Sequence, residues 1–398
     1  MRKFFTFFFL VVICLTTWSQ THVAKTLSYG GTVRQYLEYV PDSYDNTHPA
    51  PVLFCLHGLG DTMTNFAQSS GFTEIAEEHG WIMITPQALP ANISVLGMDI
   101  PMGAAWGAGV KATTLLSTIE LNPNVDDVGF LMAILDNLVA TYNIDQHNVF
   151  TTGFSIGGFM ANRLAIAAGN RLRAIASVSG TIGNAINTNM PVAHISAMHI
   201  HGTADSTIAY TDGSYTMSLI PIPIGSVGLG AEATVDYWKN YNSCDATPIV
   251  TNFSNCANDG LTFSKYLYEN GYFDTKTAFI KVVGGAHEWY STPANDIDYA
   301  TEIYNFFASC LYDDTKIEEN ESADWTIYPN PATDVVWIEG EKMAQVQLLN
   351  SIGQIMTTIP CTDTHFTIHL DDYATGLYLI RTTSVNGQSG CKRLIINK

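Results

Sequence analysis

The sequence predicts an α/β domain built on a mostly parallel sheet, followed by a small all-β sandwich. Three observations carry this expectation. Between residues 33 and 310, continuous apolar runs alternate with stretches of helical spacing, the strand-helix-strand rhythm that winds a parallel sheet. Within that region Gly153-Phe154-Ser155-Ile156-Gly157 falls where the strand-like run His147 to Phe150 gives way to the helical spacing of Phe159 to Ala165. Beyond an acidic stretch at 313 to 324 the texture changes to short alternating strands.

Met1-Arg2-Lys3, the apolar run Phe4 to Leu15 and the small residues up to Gln20 have the three parts of a secretory signal peptide, with cleavage expected near Ser19 or Gln20. The apolar run is too short to cross a bilayer core of roughly 30 Å, and no later stretch suffices either. Strands are expected at Val33 to Val40, at Pro51 to Leu56 and at Trp81 to Thr85, with a helix over Phe72 to His79. The second strand ends in His57-Gly58-Leu59-Gly60-Asp61, a glycine loop at the carboxyl end of a buried strand. Residues 87 to 125 carry little periodicity and read as an elaborate loop containing Met102, Trp106 and Gly107. A helix opens near Asp126 and Asp127, whose charges suit its amino end, and its apolar face repeats through Ile134, Leu138 and Tyr142.

After the serine come strands at Leu172 to Ser179 and His194 to His201, a Pro/Gly/Ile-rich insert at 211 to 230, and a helix over Ala231 to Tyr241. Strands at Thr262 to Tyr268 and Lys276 to Val283 and a helix from about Asp296 to Cys310 close the domain. In the tail, Val346 and Leu348 alternate with Gln345 and Gln347, and Phe366, Ile368 and Leu370 alternate with Thr367 and His369. Asn386-Gly387 offers a hairpin turn before Leu394 and Ile396. The divisions expected are a signal peptide 1–20, a catalytic domain 21–312, an acidic linker 313–324 and a β-sandwich 325–398.

The formal net charge of −19 argues against nucleic acid and anionic membrane surfaces as partners. Export implies an oxidising environment, and the six cysteines that remain without Cys14 are an even number. Cys244 and Cys256 would close a short loop as a disulfide, Cys361 and Cys391 are a second candidate pair, and Cys55 inside an apolar strand reads as a buried thiol. No C-x-x-C spacing occurs, and neither a metal nor another cofactor is expected.

Acyl transfer by serine needs a base for the hydroxyl proton, a carboxylate to fix the imidazole, and backbone donors for the oxyanion. Ser155 on a strand-to-helix bend, with glycines two residues to either side, fits a nucleophile elbow. Asp205 follows a strand through Gly202-Thr203-Ala204, and His287 follows another through Gly284-Gly285-Ala286, so both would stand above the same sheet edge. The order Ser155, Asp205, His287 is that of parallel-sheet hydrolases. An ordinary turn aspartate is the competing reading of Asp205, and His201 competes with His287. The amides of Leu59 and Ile156 are the expected oxyanion donors, against a plain glycine turn at 57 to 60. His57, Trp106 and Trp289 are candidates for the substrate pocket, with simple packing the alternative for the two tryptophans.

Six ordered blocks together resemble the secreted polyhydroxybutyrate depolymerase and feruloyl or acetylxylan esterase group of α/β-hydrolases. They are His57 to Asp61, Val125 to Phe130, Tyr142 to Asp145, Gly153 to Met160, His201 to Asp205 and Gly284 to Trp289. The likeness runs over most of residues 27 to 310. It implies a serine esterase acting on polymer-linked esters, with Ser155, Asp205 and His287 on the group's triad positions. One departure is Ile156, where relatives often carry Asn, which bears on acceptor preference more than on the chemistry. The tail is similar to the carboxy-terminal sorting domain of the type IX secretion system of Bacteroidetes, through Tyr328-Pro329-Asn330-Pro331-Ala332, Gly376 to Arg381 and Lys392 to Lys398. That implies passage across the outer membrane, the secretion machinery as a partner, and a secreted or surface-anchored product.

The function expected is hydrolysis of feruloyl or acetyl esters on plant xylan. Polyhydroxyalkanoate depolymerisation is the alternative within the class. A non-catalytic secreted binding protein on the same scaffold, and more remotely a peptidase, are the alternatives outside it.

Overall fold

The computed structural model describes residues 22–95, 98–113, 118–217, 222–312, 325–340, 343–350, 353–361, 363–384 and 389–398. The signal segment, the acidic linker and the Asn386-Gly387 turn lie outside the described residues. Among the described residues, ten strands form one sheet. They are β1 (Val23–Tyr29), β2 (Thr32–Tyr39), β3 (Ala50–Leu56), β4 (Ile82–Pro86), β5 (Ile144–Phe154), β6 (Ala174–Val178), β7 (Ser196–Gly202), β8 (Ile249–Asn252), β9 (Thr262–Gly271) and β10 (Thr275–Val283). The order across the sheet is β1-β2-β4-β3-β5-β6-β7-β10-β9-β8. The run from β4 to β10 is parallel, and antiparallel strands flank it on both sides.

Helices cover both faces, which is why the central strands are apolar without alternation. Val52, Phe54 and Leu56 of β3 enter the core shared with α3 (Asp127–Thr141) and α4 (Ile156–Ala168). Leu53 and Cys55 enter the opposite core, against α1 (Met63–Ser69), α2 (Phe72–His79) and α6 (Tyr299–Ser309). Fully burying one such aliphatic side chain contributes about 1.5–3 kcal/mol. The remaining helix, α5 (Ala231–Asn242), buries Trp238 beside Ile195 and Ala197.

The paired aspartates before α3 divide their work. Asp126 caps the helix by accepting from the Gly129 amide at 2.9 Å. Asp127 is fully buried, accepts from Arg34 at 2.6 Å and from the Gly107 amide at 2.7 Å, and so ties α3 to β2 and to the long loop.

Several segments differ from the sequence expectation. Strands β1 and β8 and helix α1 have no counterpart in it; β1 and β8 are edge strands with mostly exposed side chains, so no apolar run marks them. The 87 to 125 loop contains two short ribbons, Pro90–Val95 with Met98–Ala104 and Lys111–Thr113 with Thr118–Glu120. Within the 211 to 230 insert, Ser214–Met217 pairs with Ile222–Ser226. The last helix begins three residues later than expected, because Asp298 caps it while Asp296 accepts from the Cys256 and Ala257 amides.

The Cys244–Cys256 disulfide is not present, and all six described cysteines are free. The antiparallel pairing of β8 with β9 explains the separation. Asp245 is bonded to Glu269 at one end of that pair, whereas Asn252 pairs with Ser264 near the other and the chain runs on from there to Cys256. Cys55 is a fully buried thiol, as its strand implied. Cys361 and Cys391 are likewise unpaired with each other.

The tail is two antiparallel sheets. One joins β11 (Trp325–Tyr328), β12 (Val335–Gly340) and β15 (His365–His369); the other joins β13 (Met343–Asn350), β14 (Ile355–Pro360), β16 (Gly376–Ser384) and β17 (Ser389–Ile396). Val336, Ile338, Val346, Leu348, Ile368, Ile380 and Leu394 share their core. Gln347 departs from the expected alternation: it is buried, donating to Thr358 and accepting from Arg381.

Candidate active site

Strands β3, β5, β7 and β10 end at one edge of the sheet, and their carboxyl-terminal loops hold the residues singled out in the sequence. Ser155 closes β5 and precedes α4. Its backbone stands at φ 54°, ψ −121°, a left-handed value that costs a non-glycine residue of order 1–3 kcal/mol. The neighbours make the bend possible. A Cβ on Gly153 would lie 2.4 Å from the Gly157 carbonyl carbon, and one on Gly157 would lie 2.1 Å from the Leu56 oxygen. Any side chain at either position would force β3, β5 and α4 apart.

Asp205 and His287 meet because their loops are zipped together. The Thr203 amide donates to Val282 O at 2.8 Å, Ala204 to Gly285 O at 2.9 Å, and Gly284 to Thr203 Oγ1 at 2.9 Å. Gly202 has no room for a Cβ, which would stand 2.2 Å from the Gly285 oxygen. The result is a 2.7 Å bond in which His287 Nδ1–H donates to Asp205 Oδ2. The Asp205 carboxylate is fully buried and the His287 ring is 15% exposed. Burial by itself would raise the Asp205 pKa, but hydrogen bonds from His201 and His287 outweigh it and hold the carboxyl well below its ordinary range. Oδ1 accepts from the Thr207 and Ile208 amides at 2.9 and 2.8 Å.

The His287 ring lies against Phe154, 4.9 Å between centroids, which sets it beside the residue next to Ser155 in the chain. Among the described residues the Ser155 hydroxyl makes no hydrogen bond. The 57 to 60 loop approaches the same serine: a Cβ on Gly58 would stand 3.8 Å from Ser155 Cβ. Gly58 O is pinned by His57 Nδ1 at 2.7 Å and by the Asp61 amide at 3.3 Å. The planar trans peptide then turns the Leu59 N–H to the opposite side. Neither Leu59 N–H nor Ile156 N–H, the first amide of α4, has a backbone or side-chain acceptor among the described residues.

Two expected pocket residues have other places. His57 is fully buried; its Nε2 accepts from the Ala88 amide at 3.1 Å, so the ring proton is on Nδ1 and the ring braces its own loop. Burial also lowers its pKa and keeps it neutral. Trp106 is fully buried too, donating from Nε1 to His57 O at 2.9 Å. Both belong to the packing under the loop, because the long 87 to 125 segment folds back over them. Trp289 is half-buried and packs edgewise on Phe66, Phe72 and Phe154, so it backs the Phe154 ring on which His287 rests.

His201 does not compete for His287's place: its ring is fully buried and its Nε2 donates to Ile208 O at 2.9 Å. Sequence reasoning missed Gln87, whose Nε2 stands 3.0 Å from His57 Nε2 and whose Oε1 accepts from the Met63 amide. Its only local signal is its position just past the carboxyl end of β4. It also missed Tyr290, whose hydroxyl accepts from the Ala286 amide and shapes the turn before His287. Among the described residues no group of His, Cys, Asp and Glu is arranged to hold a metal ion.

Residues 43–220 match the phospholipase/carboxylesterase family, and residues 326–397 match the secretion system C-terminal sorting domain. Feruloyl esterase D of Neurospora crassa is 28% identical over 187 residues, 46% of this chain and 57% of that protein. Feruloyl esterase C of Emericella nidulans is 29% identical over 186 residues, 46% of this chain and 59% of that protein. The chain therefore spans somewhat more than half the length of these curated relatives. Among solved structures, an acetyl xylan esterase from Aspergillus awamori is similar with a TM-score of 0.47 at 14% identity, covering 72% of this chain and 99% of that one.

Proposed function

We propose that this chain, an α/β-hydrolase followed by a secretion-system sorting domain, is a secreted serine esterase that cleaves carboxylic esters through an acyl-serine. The observation that carries the reading is the 2.7 Å Asp205–His287 bond, formed by two loops from different strands beside the strained Ser155 turn. The phospholipase/carboxylesterase match and the feruloyl esterase relatives support it.

In this mechanism His287 Nε2 takes the Ser155 hydroxyl proton as Oγ attacks the ester carbonyl carbon. The Leu59 and Ile156 amides stabilise the oxygen that becomes negative, and Asp205, ionised throughout, holds the imidazolium and its tautomer. His287 then protonates the departing alcohol oxygen, leaving an acyl-serine. Water repeats the cycle and releases the acid.

Feruloyl or acetyl esters on xylan are the substrates this reading favours, since the curated relatives named above are feruloyl esterases. The unit that does the work is 21–312, and 325–398 serves the type IX machinery on the way to the cell surface or beyond. A fluorophosphonate probe should label Ser155 in the folded protein; an unlabelled serine would favour a binding protein on this scaffold. Ferulate release from arabinoxylan, measured beside erosion of polyhydroxybutyrate films, separates the two ester classes.

A further inference from the structure

Beside Asp205, meeting the same Oδ2 that His287 does, a row of buried polar groups has no part in the mechanism above. Ser177 Oγ lies 2.8 Å from His199 Nδ1, His199 Nε2 lies 3.1 Å from His201 Nδ1, and His201 Nε2 lies 3.3 Å from Asp205 Oδ2. Ser177, His199 and His201 are all at most 3% exposed. Strands β6 and β7 place them in one row, since Ser177 is the register partner of His199 and His201 is two residues further along the same face.

The proton positions along the row follow from its far end. Ile208 O can only accept, so His201 Nε2 carries the proton and shares it between that carbonyl at 2.9 Å and Asp205 Oδ2. With His201 neutral, its Nδ1 accepts from His199 Nε2–H, and His199 Nδ1 accepts the Ser177 hydroxyl proton. Every ring nitrogen then has a partner. A proton added to His201 would reverse the row and leave the Ser177 hydroxyl only the 3.4 Å bond to Met198 O. Burial, and next the charge that His201 would carry, push His199 well below the usual histidine range.

We propose that His201, set by His199 and Ser177, is a positioning residue for Asp205. Its Nε2–H divides the Oδ2 charge with His287 and fixes the carboxylate in the plane that His287 uses. The assignment rests on the esterase reading of Ser155, Asp205 and His287. Other groups facing His201 are Tyr210, whose ring is 5.8 Å away edge-on, and Lys281, its register partner on β10, whose ammonium is paired with Glu232. Phe279 stacks on His199 from the same strand.

Two substitutions in the full chain test this. His201→Leu removes the donor, and His201→Gln keeps an N–H near the Nε2 position. For His201→Leu, kcat on a nitrophenyl ester should fall about tenfold with KM nearly unchanged, because the carboxylate is no longer held in place. The acid limb of kcat/KM should also move up by about half a pH unit, since Asp205 no longer shares its charge and favours imidazolium at His287 more strongly. His201→Gln should restore both. Equal impairment of the two variants, or a folded His201→Leu protein with wild-type kcat and acid limb, would overturn the proposal.

Imidazole ¹⁵N shifts of the wild-type protein give a reading that does not depend on turnover or on the stability of the variants. Protons on Nε2 and bare Nδ1 in both His199 and His201 at pH 7 support the row, and a proton on His201 Nδ1 refutes it. If the wild-type protein hydrolyses no ester, the esterase reading fails while these shifts still report on the row.

Discussion

The two halves of the candidate site are held by different forces. On the serine side, geometry comes from backbone pressed against backbone: Gly153, Gly157 and the Leu56 carbonyl leave no room for one extra carbon. On the other side, Asp205 and His287 are placed by polar contacts, four of them converging on the carboxylate: from the amides of Thr207 and Ile208, from His287 and from His201 Nε2 at 3.3 Å. Steric placement is indifferent to pH and fails only when volume is added. Placement by hydrogen bonds fails when a donor is lost or a proton is gained.

This contrast can be sharpened by removing chemistry without adding volume. Ser155→Ala should lower ester turnover by roughly 10⁵-fold or more while the thermal melt stays nearly unchanged. Nitrophenyl ester hydrolysis and calorimetry on the same preparation check it, and a large loss of stability would give Ser155 a structural role instead. Asp205→Asn preserves shape and should cost about 10⁴-fold in kcat, because the amide can present N–H to His287 and select the wrong tautomer. A drop below tenfold would mean that another group orients His287.

Adding volume should break the other half. Gly157→Ala places a methyl 2.1 Å from the Leu56 oxygen and should destabilise the fold by about 3 kcal/mol in urea unfolding, with little change in the pH dependence of whatever activity survives. A near-neutral result would show that the elbow can relax, contrary to the backbone contacts described above.

The smallest effect is on acid stability. Folding holds the Asp205 carboxyl below its ordinary range, so its contribution is complete above the unfolded value of about 4 and is lost as pH falls below that toward the depressed folded value. Asp205→Asn should therefore flatten the fall in unfolding free energy between about pH 4 and 2, measured by denaturant titration at each pH. A wild-type slope in the variant would place the acid lability elsewhere.

Much of the α/β domain was legible because its signals are local. Buried parallel strands must be apolar on both faces, and the runs at Pro51 to Leu56 and Lys276 to Val283 end within a residue or so of the observed strands. Edge strands such as Ile249–Asn252 carry no such requirement, since their exposed side chains can be polar, and they were missed. The tail's sheets were legible from alternation, except at Gln347, where a neighbouring Arg381 and Thr358 make burial tolerable.

The chain alone determined the elbow, the order of serine, aspartate and histidine, and the glycine turns before the last two, because each depends on what neighbouring residues can do sterically. Only the folded arrangement decided which imidazole meets Asp205, that His57 and Trp106 lie buried beneath the 57 to 60 loop, and that Cys244 and Cys256 stand apart. Those outcomes depend on which distant segments are brought side by side, and on whether each buried nitrogen, oxygen or sulfur finds its partner there.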